Sequence, residues 1–163
     1  MDKIVRKCIV DILSTRNGLL KIPVRQRAKF EGCLKFELAS HLEKIGAENV
    51  EVESKAFHRR DRTDITFFWQ EEPYSLELKT SNTNWKIDGV NSSTRPITKN
   101  IKSIVKDAEK LNSESGIVAF VLFPIPLNDN RWEFYIDRIS NKTGIEISPQ
   151  NNCSVLSIDL NEN

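Results

Sequence analysis

Apolar residues recur every three or four positions over three parts of the chain, and this period predicts amphipathic helices. The first helix is expected over residues 2–15 and ends near Asn17-Gly18. A longer helix is expected over residues 24–46, with Gly46 at its C-cap. The third covers residues 97–111, where Ile97, Ile101 and Ile104 share one face.

Strand-like runs lie between these helices. "VEVESKAF", "RTDITFFW" and "YSLELKT" follow the long helix, and "QEEP" between the last two predicts a hairpin turn. "GIVAFVLFPIP" is a continuous apolar run, which is typical of a strand buried on both faces. In the tail, "RWEFYIDRI" predicts a strand or short helix and "CSVLSIDL" a last strand. The pattern predicts one α/β domain over residues 1–163, in the order ααβββαβ with a β-rich tail.

Composition narrows the class of protein. The chain has 39% hydrophobic and 29% charged residues, which indicates a globular domain. The net charge of +1 is too small to attract a polyanion by itself. Binding of nucleic acid would therefore depend on local positive patches. Three cysteines without a CxxC spacing favour a reducing compartment over a disulfide framework or a zinc site. Without a signal peptide or a membrane-length apolar run, we expect a cytoplasmic protein with no membrane partner.

The hairpin carries the chemistry that the sequence suggests. In "YSLELKT", Glu77 and Lys79 lie two residues apart and therefore share one face of the strand. Asp64 stands near the start of the preceding strand, and in an antiparallel hairpin that end lies beside Glu77 and Lys79. Paired carboxylates suit Mg²⁺, and a neighbouring lysine can orient a water and offset charge on phosphorus.

The string "TDITFFWQEEPYSLELK" resembles the PD-(D/E)xK signature of restriction-endonuclease-like nucleases. Asp64 matches the aspartate of that signature, Glu77 its central acid and Lys79 its lysine, while Thr63 stands where the signature has proline. The resemblance implies a restriction-endonuclease-like α/β fold, a mixed central sheet flanked by helices. Its αβββαβ core would run from about Val24 to Pro124, with an extra N-terminal helix.

The same resemblance implies an activity and its cofactor. The expected protein is a Mg²⁺-dependent (or Mn²⁺-dependent) endonuclease that hydrolyses phosphodiester bonds in DNA, with RNA not excluded, and leaves a 5′-phosphate and a 3′-hydroxyl. Asp64 and Glu77 would bind the metal with the carbonyl of Leu78 as an additional ligand, and Lys79 would activate water. A glutamate of the long helix, Glu31 or Glu37, would assist. Cutting both strands generally needs two sites, so a homodimer is also expected.

Other interpretations of the hairpin stay open at this point. "ESK" at Glu53–Lys55 repeats the short motif without an aspartate on a partner strand, so the three letters alone are weak evidence. The hairpin face could be solvated, with weak surface ion pairs, on a protein-interaction domain. The main alternative is a catalytically inactive nucleic-acid-binding or regulatory module of the same fold.

A nucleic-acid surface is expected around the motif. Basic residues precede it and follow it on the later helix, and amides and an aromatic residue come directly after the lysine. The candidates are Arg59, Arg60, Arg62, Asn82, Asn84, Trp85, Lys86, Arg95, Lys99, Lys102 and Lys106. Trp85 has a second interpretation, a lid that packs over the core.

Overall fold

The computed structural model describes residues 1–57, 61–92, 96–111, 115–126, 129–158 and 160, and within them the chain forms five helices and four strands. The helices are α1 (Asp2–Thr15), α2 (Asn17–Gln26), α3 (Glu31–Lys44), α4 (Ile97–Leu111) and α5 (Arg131–Thr143). The strands are β1 (Glu48–Val52), β2 (Ile65–Trp69), β3 (Glu72–Asn82) and β4 (Gly116–Phe123). From α3 to β4 the elements follow the predicted αβββαβ order.

The strands form one mixed sheet in the order β1-β2-β3-β4. β1, β2 and β3 are antiparallel neighbours, whereas β3 and β4 run parallel and are joined by the crossover that contains α4. The predicted hairpin is confirmed, because Trp69 pairs with Glu72 across a two-residue turn. Gln70 and Glu71 both have positive φ, 51° and 67°, which is the requirement of a type I′ hairpin turn.

β3 extends beyond the strand that pairs with it on one side. The β2–β3 pairing reaches its end at Ile65 and Leu76, whereas the β3–β4 pairing continues to Asn82 and Phe123. Residues 77–82 of β3 therefore have β4 along one edge and no β2 residue along the other. We call this second edge the β3 edge.

The two faces of the sheet are covered by different helices. Leu76 and Leu78 of β3 pack in a core with residues of α1 and α3, among them Leu38. The opposite face carries Val118 and Phe120 of β4, which pack against α4 and α5. Burial on both faces confirms the prediction of a mixed sheet flanked by helices. The identity of the fold as restriction-endonuclease-like stays a prediction.

The first helix lies where it was predicted, over residues 2–15, but the prediction of a single long second helix is wrong. The helix expected over residues 24–46 is divided into α2 and α3, and α2 begins at Asn17, where α1 was expected to end. Arg27 ends α2 in the left-handed region, with φ 52°. Its buried side chain donates hydrogen bonds to the carbonyls of Thr83, Trp85 and Asn91. A tertiary contact thus interrupts a pattern that is locally helical.

The predicted β-rich tail is also wrong. For "RWEFYIDRI" the helix, one of the two predicted alternatives, is confirmed: the segment lies in α5, because Ile136 and Ile139 are spaced for one buried helical face. Residues 153–158 form no strand, and Arg6 of α1 donates a hydrogen bond of 2.7 Å to the Cys153 carbonyl. This stretch lies against α1 and does not extend the sheet. In the part of the chain that is described, no helix is long and apolar enough to cross a membrane.

Candidate active site at the β3 edge

Two carboxylates occupy the β3 edge where β2 no longer provides partners. Asp64 Oδ2 accepts a hydrogen bond of 2.8 Å from the Leu78 N–H, and Glu31 Oε2 accepts one of 3.0 Å from the Thr80 N–H. Alternate N–H groups of a strand point to the same edge, and buried backbone donors need acceptors. Asp64 from the start of β2 and Glu31 from the start of α3 are therefore fixed side by side along β3.

The backbone carbonyl of Leu78 belongs to the same edge. In a strand, the N–H and C=O of one residue point to the same neighbour, as the paired bonds of antiparallel strands show. Because the Leu78 N–H points to Asp64, the Leu78 carbonyl lies on the Asp64 side of β3. The edge thus combines a carboxylate and a backbone carbonyl, both of them hard oxygen donors.

Glu77 and Lys79 point to the face of the sheet that α4 covers. Lys110 of α4 donates a hydrogen bond to Oε1 of Glu77, and Lys79 Nζ lies 3.4 Å from Oδ2 of Asp107. Asp107 and Lys110 are three residues apart, so both belong to one side of α4. The Glu77 side chain is 7% exposed and that of Lys79 is 21% exposed. The interpretation of "YSLELKT" as a strand with a solvated charged face is therefore wrong.

Burial and charge shift the pKa values of both residues. Burial is the main reason why the pKa of Glu77 is raised, and the charges of Asp64 and Asp107 raise it further, against the opposing effect of Lys110. Burial by itself lowers the pKa of Lys79, yet the carboxylates of Asp107, Glu31, Asp64 and Glu77 bring it above its ordinary value. Lys79 is thus a protonated ammonium group that four carboxylates stabilise. We call these five residues the edge site.

A second residue of α3, Lys35, contacts the edge site. Lys35 Nζ lies 3.2 Å from Oδ1 of Asp64 and 2.8 Å from Oε1 of Glu53. Burial lowers the pKa of Lys35, but its bonds to Glu53 and Asp64 raise it above the ordinary value. Glu53 belongs to the second motif copy, "ESK", so that copy supplies a carboxylate to the rim of the site, while its Lys55 is exposed.

The edge site has the donors that a hard cation needs. Its four carboxylates face three ammonium groups once Lys35 and Lys110 are included with Lys79. The buried Oδ2 of Asp107 receives no hydrogen bond from the residues that the structure describes. Among those residues, no group of three or more His, Cys, Asp or Glu side chains at metal-binding spacing is found. Asp64, Glu77 and the Leu78 carbonyl offer oxygen atoms only, which suits Mg²⁺ or Mn²⁺.

The structure separates the two glutamates of the long predicted helix. Glu31 lies at the β3 edge, as described above. Glu37 pairs instead with Arg16 at 2.7 Å, and the two side chains are 34% and 51% exposed. Glu37 is thus on the protein surface, outside the edge site.

The expected nucleic-acid contacts divide into exposed and structural residues. Arg59, Arg60 and Arg95 lie outside the described residues. The exposed candidates are Arg62, Asn84, Lys86, Lys99, Lys102 and Lys106. Asn82 has a structural role, since its side chain donates to the Arg27 carbonyl at 2.7 Å and its carbonyl accepts from Asn100 at 2.8 Å.

Trp85 packs over the core, in agreement with its interpretation as a lid. It is 7% exposed, and the Arg131 guanidinium lies 5.1 Å from the centre of its ring. Tyr135 contacts the same ring edge-on, at 6.0 Å between centroids. Together with Asn84 and Lys86, these residues line an open cleft next to the end of β3.

Three members of the site and its surroundings were not predicted from sequence: Lys35, Asp107 and Lys110. The sequence contains a positional signal for each of these three residues. Lys35 follows Glu31 by four residues on α3, and Asp107 and Lys110 are polar positions beside the apolar stripe of α4. Their spacing alone does not distinguish them from solvated helix residues, because only packing brings α3 and α4 to opposite sides of β3.

Comparisons with protein-family models, with curated proteins and with solved structures gave no match to the chain. The resemblance to the PD-(D/E)xK signature stays a prediction based on residues 63–79. The bonds and charges of the edge site are the basis on which a function can be inferred.

Proposed function

We propose that the chain is a metal-dependent endonuclease that hydrolyses phosphodiester bonds in DNA. The observation that carries the proposal is that Asp64, at the β3 edge, and Glu77, on the face that α4 covers, both lie close enough to Lys79 to raise its pKa, as do Glu31 and Asp107. Oxygen donors next to a lysine suit a reaction in which negative charge develops on phosphate oxygens. A merely solvated hairpin would not have a buried carboxylate at Glu77 with the half-buried carboxylates of Asp64 and Asp107 near it.

Asp64, Glu77 and the Leu78 carbonyl would hold a Mg²⁺ or Mn²⁺ ion. Such an ion, when bound, polarises a phosphoryl oxygen and lowers the pKa of a bound water. One observation supports a cation here. Burial, together with the charges of Asp64 and Asp107, raises the pKa of Glu77. Added positive charge beside this carboxylate would lower that pKa again.

In this proposal Lys79 acts as a cation and not as a base. The surrounding carboxylates raise its pKa in spite of burial, so its proton is retained at neutral pH. An ammonium donates hydrogen bonds, and it would orient the attacking water and stabilise charge on the phosphate oxygens. The water oxygen bonds to phosphorus as the bond to the 3′-oxygen breaks; the water releases a proton and the departing oxygen takes one up. The products carry a 5′-phosphate and a 3′-hydroxyl.

DNA would lie over the exposed basic residues near the edge site. Lys99, Lys102 and Lys106 are exposed along the side of α4 that faces away from its buried isoleucines. Arg62 and Lys86 are exposed on the segments before and after the hairpin. Contacts from such residues follow the phosphate backbone without reading sequence. The cleft beside Trp85 could take an unstacked base, because an aromatic and guanidinium wall suits stacking.

Assembly and location are part of the same proposal. Cutting both strands of a duplex needs two edge sites, so we expect a homodimer in solution. All three cysteines are free, as we expect of a chain that acts in the reducing cytoplasm. Light scattering on a size-exclusion column would give the mass, and a monomer that cuts both strands would contradict the dimer.

One observation favours the second candidate, a nucleic-acid-binding or regulatory module without turnover. Lysines already contact the two carboxylates that would hold the metal: Lys35 bonds to Asp64, and Lys110 bonds to Glu77. These pairs let the carboxylates be buried without a bound ion. The nuclease and the module differ in turnover, so they can be separated by experiment.

The test uses supercoiled, linear and single-stranded DNA and single-stranded RNA, incubated with Mg²⁺ or Mn²⁺ and with EDTA as the metal-free control. Wild type is compared with Asp64→Ala, Lys79→Ala and the matched control Lys55→Ala, which changes an exposed lysine outside the edge site. We expect cleavage by wild type and Lys55→Ala only, and none with EDTA. Binding without cleavage under either metal would support the module, and cleavage of RNA alone would contradict DNA as the substrate.

A further inference from the structure

Lys110 is held at the edge site by two acceptors. Its Nζ donates to Oε1 of Glu77 and, at 2.8 Å, to the carbonyl of Arg62. Glu77 is among the most buried charged residues described, at 5% exposure. A carboxylate so far from water stays ionised only beside a positive group. Among the residues that the structure describes, Lys110 is the cation that bonds to it.

Lys110 and Lys35 are held differently, although both contact a carboxylate of the edge site. Lys35 has a side chain only 9% exposed and lies between two carboxylates, Asp64 and Glu53. Lys110 has a side chain 24% exposed, one carboxylate partner and one neutral carbonyl partner. It also lies one residue before the end of α4, at Leu111. Lys110 therefore gives up less electrostatic stabilisation than Lys35 when its ammonium group leaves its partners. Its side chain can also move into solvent.

We propose that Lys110 is an internal cation that competes with the divalent metal for Glu77 and thereby sets the metal affinity of the edge site. This inference rests on the proposed function, since it takes Glu77 as a metal ligand. Without metal, Lys110 neutralises Glu77 and keeps it ionised. A divalent ion has twice the charge of an ammonium, and to reach Oε1 it must displace Lys110 or bind against its repulsion. Lys110 thus determines how much free metal the site requires.

The test measures metal binding directly, without cleavage. Mn²⁺ is titrated into protein without DNA, and free Mn²⁺ is followed by its electron paramagnetic resonance signal. The proteins are wild type, the neutral variants Lys110→Met and Lys110→Gln, the charge-conserving Lys110→Arg, and Glu77→Gln. Lys55→Met is the matched control, because it removes one exposed positive charge elsewhere. The titration is run at about pH 8, because burial raises the pKa of Glu77 and a higher pH keeps more of this carboxylate ionised in the proteins that retain it.

We expect both neutral variants to bind Mn²⁺ about tenfold more tightly than wild type, because one repelling charge has been removed next to the ion. Lys110→Arg and Lys55→Met should bind as wild type does, and Glu77→Gln should bind more weakly than wild type. Thermal melts establish which variants are folded. If Lys110→Met fails to fold with Glu77 unpaired, Lys110→Gln decides the question, since its amide can still donate to Glu77.

The outcomes separate the inference from the proposed function. If wild type binds Mn²⁺ and Glu77→Gln weakens binding, but the folded neutral variants bind no more tightly than wild type, the competition is refuted and the metal site stands. If neither wild type nor the neutral variants bind Mn²⁺, both the inference and the proposed metal-dependent activity are refuted. Tighter binding by Lys110→Arg as well would also overturn the inference, because the charge would then not be the cause.

Discussion

Lys79 Nζ lies 3.4 Å from Oδ2 of Asp107, so the lysine of the hairpin meets a carboxylate that α4 supplies. The relationship follows from topology. β3 and β4 are parallel neighbours, and their connection must cross one face of the sheet, which α4 then covers. Glu77 and Lys79 point to that same face. The residues of α4 that lie over β3 are therefore part of the environment of the hairpin charges.

Asp107→Asn is expected to reduce DNA cleavage by about tenfold to a hundredfold, because the carboxylate that holds the Lys79 ammonium is lost and a small misplacement of a catalytic group has effects of this size. Single-turnover cleavage rates at saturating protein would measure it. Glu109→Gln is the matched control, since it removes one negative charge from an exposed position of the same helix. Equal rates for Asp107→Asn and wild type would show that the ion pair does not position Lys79.

Glu31→Gln and Glu37→Gln should have different effects, although both remove one carboxylate from α3. In Glu31→Gln the new side-chain amide oxygen can still accept from the Thr80 N–H, so we expect this variant to remain folded and to lose at least about tenfold in cleavage through the missing charge. Glu37→Gln breaks an exposed pair with Arg16, which is worth about 0–1 kcal/mol, and should cleave as wild type does. Parallel cleavage assays and urea unfolding measure both. A larger loss in Glu37→Gln would contradict the assignment of Glu31.

Arg27→Met should lower the free energy of unfolding by about 2–4 kcal/mol, because three backbone carbonyls lose their donor and each buried unpaired acceptor costs about 1–3 kcal/mol, offset in part by removal of a buried charge. Urea unfolding measures the loss. Native-state hydrogen exchange should become faster in residues 83–91, which the guanidinium ties to the end of α2. Arg25→Met, at an exposed neighbouring position, should change stability by less than about 0.5 kcal/mol.

The basic side of α4 should be visible in the salt dependence of DNA binding. Replacement of Lys99, Lys102 and Lys106 by Gln is expected to reduce the slope of log affinity against log salt concentration by about 2–3, since each phosphate contact contributes about 0.9. Fluorescence anisotropy at several salt concentrations measures the slope. A triple replacement of exposed lysines on α1 and α3 (Lys3, Lys7 and Lys44) makes the same change in net charge. If both triple variants change the slope equally, net charge rather than the α4 surface governs binding.

Cys8 gives a pH dependence of stability that is independent of the edge site. Burial, with a smaller contribution from Asp11, raises the pKa of the Cys8 thiol above its ordinary value of 9.0. The folded state therefore keeps the proton longer than the unfolded state. The stabilisation is fully present below about pH 9 and is lost as the pH rises through the folded value, because the unfolded chain ionises first.

The wild type should consequently lose more stability than Cys8→Ala when urea unfolding is compared at about pH 7 and about pH 10. The constant effect of removing the thiol cancels in this difference. Cys33→Ala, at an exposed position of α3, is the control and should follow the wild-type profile. Parallel pH profiles for wild type and Cys8→Ala would refute the effect of burial.

Much of the fold could be predicted from local pattern. The helix at residues 97–111, the hairpin around "QEEP" and a strand in "GIVAFVLFPIP" appear where the sequence indicated them. That strand was expected to be buried on both faces, but β4 lies at an edge of the sheet and most of its residues are half-buried. In each case the periodicity or the turn requirement is strong and lies within one element. The break at Arg27 and the tail were not predictable in this way. The conformation of Arg27 depends on carbonyls that come much later in the chain. Residues 153–158 have strand-like composition but form no strand, and the Cys153 carbonyl accepts a hydrogen bond from Arg6 of α1.

The sequence by itself determined the core of the edge site, because a hairpin register follows from its turn and its alternation. That register brings Asp64 next to Glu77 and puts Glu77 and Lys79 on one face. Only the tertiary structure decided that Glu31 and not Glu37 reaches the β3 edge, and that Asp107 and Lys110 meet the hairpin charges. The physical reason is that strand pairing is fixed by short-range geometry, whereas the choice between helix positions depends on how α3 and α4 pack against the sheet.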